Sequence, residues 1–147
     1  MSVPDRIERS VRVRAPIERV WRALTEAEQL AAWFADRQTE IDLRPGGTAS
    51  FRWMGEVTTP ARVKVVERPH RFAFRWAACD APGAPWTLVT FTLAELDAQH
   101  TLVHVEESGF AALPEMQGRR ARHDNTAGWR QELDELVAHV ELPLVTP

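Results

Sequence analysis

This chain has no tyrosine and a single cysteine, Cys79, among its 147 residues. Without tyrosine there is no phenol to act as a general acid, a general base or a buried hydrogen-bond donor. A lone cysteine cannot close an internal disulfide, which suits a reducing compartment and sets the expected location as the cytoplasm. The sequence also lacks any apolar run approaching the ~20 residues that a membrane-spanning helix requires. Its first residues, Met1-Ser2-Val3-Pro4-Asp5-Arg6, hold no apolar stretch of the kind a secretory signal needs. Net charge is small, at −3, so composition provides no electrostatic reason to expect nucleic acid or an anionic membrane as a partner. The Arg119-Arg120-Ala121-Arg122 run is short and stands among acidic residues, so it does not alter that reading.

Recognisable metal and nucleophile patterns are missing too. His100 and His104 share a face of an expected strand, but four residues of strand hold them ~13 Å apart, too far for one ion. His123 and Asp124 are helix neighbours that point in different directions. Cys79 has no histidine at a readable spacing, and no Gly-x-Ser-x-Gly turn occurs. Gly46-Gly47 is not followed by the Lys-Ser/Thr that would make it a phosphate cradle. No metal and no cofactor are expected.

What the chain does have is aromatic mass: six tryptophans and six phenylalanines. Each removes ~150–250 Å² from water when buried, so the core should be aromatic-rich. A hydrophobic fraction of 44% beside 27% charged residues is that of a globular protein, and 147 residues suffice for a single domain spanning 1–147.

Periodicity then orders the elements. Ile7, Arg9, Val11 and Val13 alternate with Glu8, Ser10, Arg12 and Arg14, the period of a half-buried strand. Pro16 suits the first turn of a helix whose apolar face is Ile17, Val20, Trp21 and Leu24. Thr25 with Glu28 three residues on reads as a capping box opening a second short helix that carries Leu30, Trp33 and Phe34. A polar connector over 35–40 leads to a short strand at 41–43 and a turn at Arg44-Pro45-Gly46-Gly47. The meander that follows alternates inward Ala49, Phe51 and Trp53; after a turn at Gly55, Val57, Ala61, Val63 and Val65; then Phe72, Phe74 and Trp76. A loop over 80–85 separates these from Val89, Phe91 and Leu93, and a last strand points Thr101, Val103, Val105 and Glu107 inward. Outward positions hold Arg, Lys, Thr and His, as in an antiparallel sheet with one solvated face. From 114 to 140 the pattern is helical, with Trp129, Leu133, Leu136, Val137 and Val140 on one face. Gly128 in that helix costs ~1 kcal/mol relative to alanine, a cost tolerable where close backbone approach or a kink is useful.

The fold class expected is therefore α+β: a curved antiparallel sheet of about six to seven strands around a long C-terminal helix, with two short helices after the first strand. Such an arrangement encloses space suited to a small apolar or amphipathic molecule. Its lining would come from Trp33, Phe34, Phe51, Trp53, Phe74, Trp76, Phe91, Val105 and Trp129, with Glu107, Arg122 and Asn125 as polar contacts. Glu107 is the only charged residue among the inward positions of the meander. It reads either as a polar anchor or acid/base at the cavity end, or as a solvated carboxylate on a fraying strand. If it is inward, burial demands a partner, and Arg119 or Arg122 on the returning helix is the expected one. The helix stripe also changes character, from Arg122 and Asn125 to Leu133 and Leu136, so one end should be wet and the other dry.

Several pieces resemble one known superfamily in the right order. They are the run from Pro16-Ile17-Glu18-Arg19-Val20-Trp21 to Leu24-Thr25, Trp33-Phe34, Pro45-Gly46-Gly47 before Phe51, Glu107-Ser108-Gly109-Phe110, and Gly128-Trp129 ahead of Leu133-Asp134-Glu135-Leu136. Together they resemble the START/Bet v 1-like (SRPBCC) superfamily with its helix-grip fold, and within it bacterial relatives of the C-terminal domain of the activator of heat-shock-protein-90 ATPase. The resemblance covers essentially residues 7–141. It implies a hydrophobic-ligand module as the first expectation. A co-chaperone-like protein of the stress response with a chaperone partner and no small ligand is the second. A cyclase- or hydrolase-like enzyme using Glu107 is the third.

Overall fold

Residues that alternate apolar with polar cannot satisfy both faces unless one face is covered, and the arrangement found here covers it with one long helix and two short ones. A computed structural model describes residues 3–35, 39–53, 57–79 and 81–141. Met54, the expected turn at Gly55, residues 36–38 of the polar connector and Asp80 at the head of the loop lie outside the described residues.

Seven strands form one antiparallel sheet: β1 (Arg6–Val13), β2 (Glu40–Ile41), β3 (Thr48–Trp53), β4 (Val57–Glu67), β5 (Arg71–Trp76), β6 (Thr87–Asp97) and β7 (His100–Ser108). Their spatial order is β1-β7-β6-β5-β4-β3-β2, so the meander from β2 to β7 closes on the first strand. Helices α1 (Ile17–Thr25) and α2 (Ala27–Trp33) follow β1, and α3 (Glu115–Val140) ends the described chain. At 1.5 Å per residue α3 is ~39 Å long, enough to cross the sheet. This is the expected helix-grip architecture.

Burial follows the expected parity in most strands. Phe51, Phe72, Phe74, Val89, Phe91, Leu93, Val103 and Val105 are all buried in one cluster with Trp21, Leu24, Leu133 and Leu136. Four local expectations change. Val57, expected inward at the head of β4, is exposed. The short second strand is Glu40–Ile41 instead of 41–43. In β4 the register slips between Val63 and Val65, a bulge that inserts a residue and reverses the facing beyond it; Val66, instead of Val65, then packs on the core. Thr25 makes no capping box. It is the last residue of α1, where its hydroxyl donates to the Trp21 carbonyl at 2.8 Å, while Glu26 in extended conformation caps α2 with no side-chain bond.

Gly118 and Gly128, both in α3, serve different ends. A Cβ on Gly118 would sit 2.8 Å from the Phe110 carbonyl oxygen and 3.1 Å from Leu113 Cβ, so the helix start is docked there against the short 3-10 turn at Phe110–Ala112. A Cβ on Gly128 would meet nothing within 4 Å. The close approach expected at Gly128 belongs to Gly118, and Gly128 instead borders empty space.

Candidate functional site: a buried carboxylate behind an aromatic cleft

The register of three neighbouring strands assembles the base of the site. Glu107 of β7 stands opposite Val89 of β6, and Thr87, the preceding inward position of β6, stands opposite Trp76 of β5. Trp76, Thr87 and Glu107 therefore meet on the covered face of the sheet. From above, α3 contributes Asn125 and Trp129, one helical turn apart.

All four residues donate to Glu107, whose exposure is 0%. One carboxylate oxygen, Oε2, accepts from Trp76 Nε1 at 2.8 Å and from the Thr87 hydroxyl at 2.6 Å. The other, Oε1, accepts from Trp129 Nε1 at 2.8 Å and from Asn125 Nδ2 at 3.0 Å. A carboxylate offers about four lone-pair directions, so its capacity is filled. The fraying, solvated alternative for Glu107 is not what forms. Neither is the expected arginine pair. Arg122 donates to the Arg6 backbone carbonyl at 3.1 and 3.3 Å, and Arg119 donates to Glu115 at 3.1 Å. The cause is distance along the helix: Arg122 lies seven residues before Trp129, within ~20° of the same face but ~10 Å nearer the N-terminus, where it meets Arg6 of β1. Arg122 is thus a fastener of α3 to β1, and as a ligand contact it is displaced.

Saturated and sealed, Glu107 has no free lone pair for a ligand proton. Its geometry makes it a positioning residue that fixes the planes of two indoles, and the catalytic use considered for it has no support in its contacts. The fixed indoles are at the heart of an aromatic cluster: Phe34, Trp76 and Trp129 stand mutually 5.8 Å apart, centroid to centroid, with planes within 28° of parallel.

Two cavities open beside that cluster. The larger, about 620 Å³, runs between Trp53 and Trp76 on one side and Gln117, Arg120, Ala121, Asp124 and Asn125 of α3 on the other, with Ala77, Ala78 and Cys79 at its edge. The smaller, about 190 Å³, is bounded by Phe34, Trp53, Trp76, Asn125, Gly128, Trp129 and Glu132. Trp53 is held at the junction by its Nε1, which donates to the Thr59 hydroxyl at 2.9 Å. Of the expected lining, Phe34, Trp53, Trp76, Asn125 and Trp129 border these spaces. Phe51, Phe74, Phe91 and Val105 are packed behind them and line neither cavity. Trp33 is also internal, its Nε1 donating to the Ala23 carbonyl at 2.7 Å and tying α2 to α1. The space expected deep between sheet and helix is occupied by the protein's own rings; what stays open is a cleft at the N-terminal half of α3.

Sequence reasoning missed Thr87, Gln117, Arg120, Asp124 and Glu132. Thr87 shares the parity of Val89 and Phe91, and Glu132 follows Trp129 by three residues, so both carried a positional signal. Glu132 has an unusual environment. Its Oε2 is buried without a hydrogen-bond partner. Burial, then the neighbouring Glu135 carboxylate and a hydrogen bond with it, push its carboxyl up to about 8.

Comparison with known proteins agrees with this architecture. Residues 14–141 match the family model described as Activator of Hsp90 ATPase homolog 1-like protein. No curated protein matches the chain. Among solved structures, protein MLL2253 from Mesorhizobium loti superposes with a TM-score of 0.80 at 22% identity, covering 95% of this chain and 99% of that one. BH1534 of Bacillus halodurans gives a TM-score of 0.72 at 28% identity over 96% of this chain and 100% of the other. CalU16 from Micromonospora echinospora gives 0.70 at 25% identity over 96% and 82%.

Proposed function

The chain belongs to the Activator of Hsp90 ATPase homolog 1-like family, and from that premise and the shape of the cleft we propose that it binds a small amphipathic molecule without transforming it. A fold alone hosts many activities, so the reading rests on the site. The observation that carries it is the cleft of about 620 Å³ between two indoles and a polar stretch of helix, within the ~300–1,000 Å³ of small-molecule pockets. A flat apolar body would lie on Trp53 and Trp76. Its polar end would face Gln117, Arg120, Asp124 and Asn125. Nothing in the cleft assembles a nucleophile with a base: Cys79 borders it without a histidine among the described lining residues. Among the described residues no three His, Cys, Asp or Glu side chains gather as a metal site.

Titration with the neutral fluorescent probe N-phenyl-1-naphthylamine tests this reading, alongside native mass spectrometry of freshly purified protein for a co-purifying molecule. Trp53→Ala should weaken probe binding at least tenfold, since Trp53 borders both cavities. An unchanged affinity in that variant would mean that the cleft is not the binding site.

A further inference from the structure

We propose that the smaller cavity is a site for an organic ammonium group, held by the aromatic walls of Phe34, Trp53, Trp76 and Trp129 with Glu132 as its counter-charge. The inference rests on the small-molecule reading of the cleft and names the chemistry of the group that enters the smaller cavity beside it.

Three independent features converge. The first is shape and lining: about 190 Å³ bounded by four aromatic side chains accommodates a methylated or simple alkyl ammonium, and tryptophan is the best aromatic partner for such a cation. The second is a carboxyl beside the cavity with one unmet oxygen. Glu132 lines the cavity, and its Oε2, closed to solvent, has no hydrogen-bond partner, so a cation seated beside it would give the ionised carboxyl its counter-charge. The third is the charge behind the wall. Glu107 is buried with four neutral donors and no cation among its partners. Two of those donors are the indole N–H groups of Trp76 and Trp129. Hydrogen bonding to a carboxylate polarises each ring towards greater electron density, which strengthens the attraction of its face for a cation.

The charged surroundings favour the same sign of ligand. On α3, Glu135 adjoins Glu132, and Asp124 and Arg120 border the neighbouring cleft. The end of α2 contributes Phe34, and β3 and β5 contribute Trp53 and Trp76, none of them titratable. Carboxylates thus outnumber the single guanidinium among these described residues. In the empty site Glu132 holds its proton through neutrality; an incoming cation would displace that proton and leave carboxylate against ammonium. Binding of a permanently charged cation should therefore tighten as pH rises towards about 8, where the proton no longer has to be displaced.

The test compares choline with 3,3-dimethylbutan-1-ol, its uncharged isostere, by tryptophan fluorescence and by displacement of N-phenyl-1-naphthylamine, between pH 6 and 9. Choline should bind at least tenfold tighter than the alcohol at pH 8.5, with affinity rising across the range. In Glu132→Gln the preference should shrink to within threefold and the pH dependence should vanish. Equal affinities for the two compounds, tighter binding of the alcohol, or binding by neither would each overturn the ammonium site. So would a preference that survives Glu132→Gln unchanged. Binding of the naphthylamine probe in the same samples keeps the outcomes apart: probe bound without choline selectivity refutes the ammonium site alone, whereas no probe bound removes the cleft reading beneath it.

Discussion

Glu107 shows how one side chain can set the geometry of a site it never enters. Each of its oxygens accepts one indole N–H, from Trp76 on one side and Trp129 on the other. Glutamine cannot reproduce this in either orientation, because its amide nitrogen must face one of the two indoles. The Thr87 hydroxyl can rotate and Asn125 can flip, but an indole N–H has no alternative role. Glu107→Gln should therefore leave one buried N–H unsatisfied and cost about 1–3 kcal/mol in a urea titration. A loss under about 0.5 kcal/mol, the size of an ordinary surface change, would show that the indoles find other acceptors. Glu132 should behave in the opposite way. Its folded-state carboxyl is raised to about 8 from an ordinary value of 4.5, so between those values the folded chain holds a proton that the unfolded chain has released. Its contribution is most favourable below about 4.5 and is lost as pH rises to about 8. Glu132→Gln should raise the melting temperature at pH 8.5 and leave it nearly unchanged at pH 4. A gain of equal size at both would show that the carboxyl does not titrate as its surroundings require.

Among the elements, α3 carries the clearest contrast, in its two interior glycines. Gly118 lies against the Phe110 carbonyl, a backbone atom that cannot swing aside. Gly118→Ala should destabilise by about 1–3 kcal/mol despite alanine's better helix propensity, as overpacking does. Gly128 has open space on its Cβ side, so Gly128→Ala should stabilise by up to ~1 kcal/mol. Thermal melts of the two variants should move in opposite directions; a shared sign would mean that α3 does not dock on the turn at Phe110–Ala112 as described. The difference between these glycines is not written in the sequence, where both interrupt a helical pattern equally. What a strand or helix buries was legible because alternation and the 3.6-residue stripe are local properties. Irregularities were not. The bulge between Val63 and Val65 leaves only the adjacent pair Val65-Val66 in the sequence, which does not say which of the two faces the core; that is settled by pairing with β5. Thr25 and Glu28 have the spacing of a capping box, yet α1 continues through Thr25 and the joint falls at Glu26. Glu107 was marked by parity with Val103 and Val105, while its partners depended on which turn of α3 crosses above it, and that placement is a tertiary fact.

For the molecule as a whole, the long helix divides the interior into two regimes. Around Leu133, Leu136 and Val140 the side chains are packed without exposure to the clefts, against a core that includes Val13, Val20 and Leu24. Around Gln117, Arg120, Asp124 and Asn125 the helix stands off the sheet and leaves room. The expected division into a dry end and a wet end therefore holds only in part as geometry: Arg122 lines neither cavity, and Asn125 does not belong to the wet end alone. Asn125 belongs to both regimes, since it borders the cleft and donates to Glu107, so its removal should weaken binding and stability together. Leu136 belongs to one. It is fully buried, borders neither cavity and sits nearly two helical turns beyond Trp129. Leu136→Ala should cost about 2–5 kcal/mol, the range for truncating a buried leucine in a core that cannot collapse. At a temperature where the variant remains folded, its affinity for N-phenyl-1-naphthylamine should stay within twofold of the parent chain. The cleft is shaped by indoles anchored on Glu107, and those anchors do not pass through Leu136. A tenfold loss of probe affinity in folded Leu136→Ala would show instead that the cleft depends on the packing of the entire helix, and that the two regimes are one.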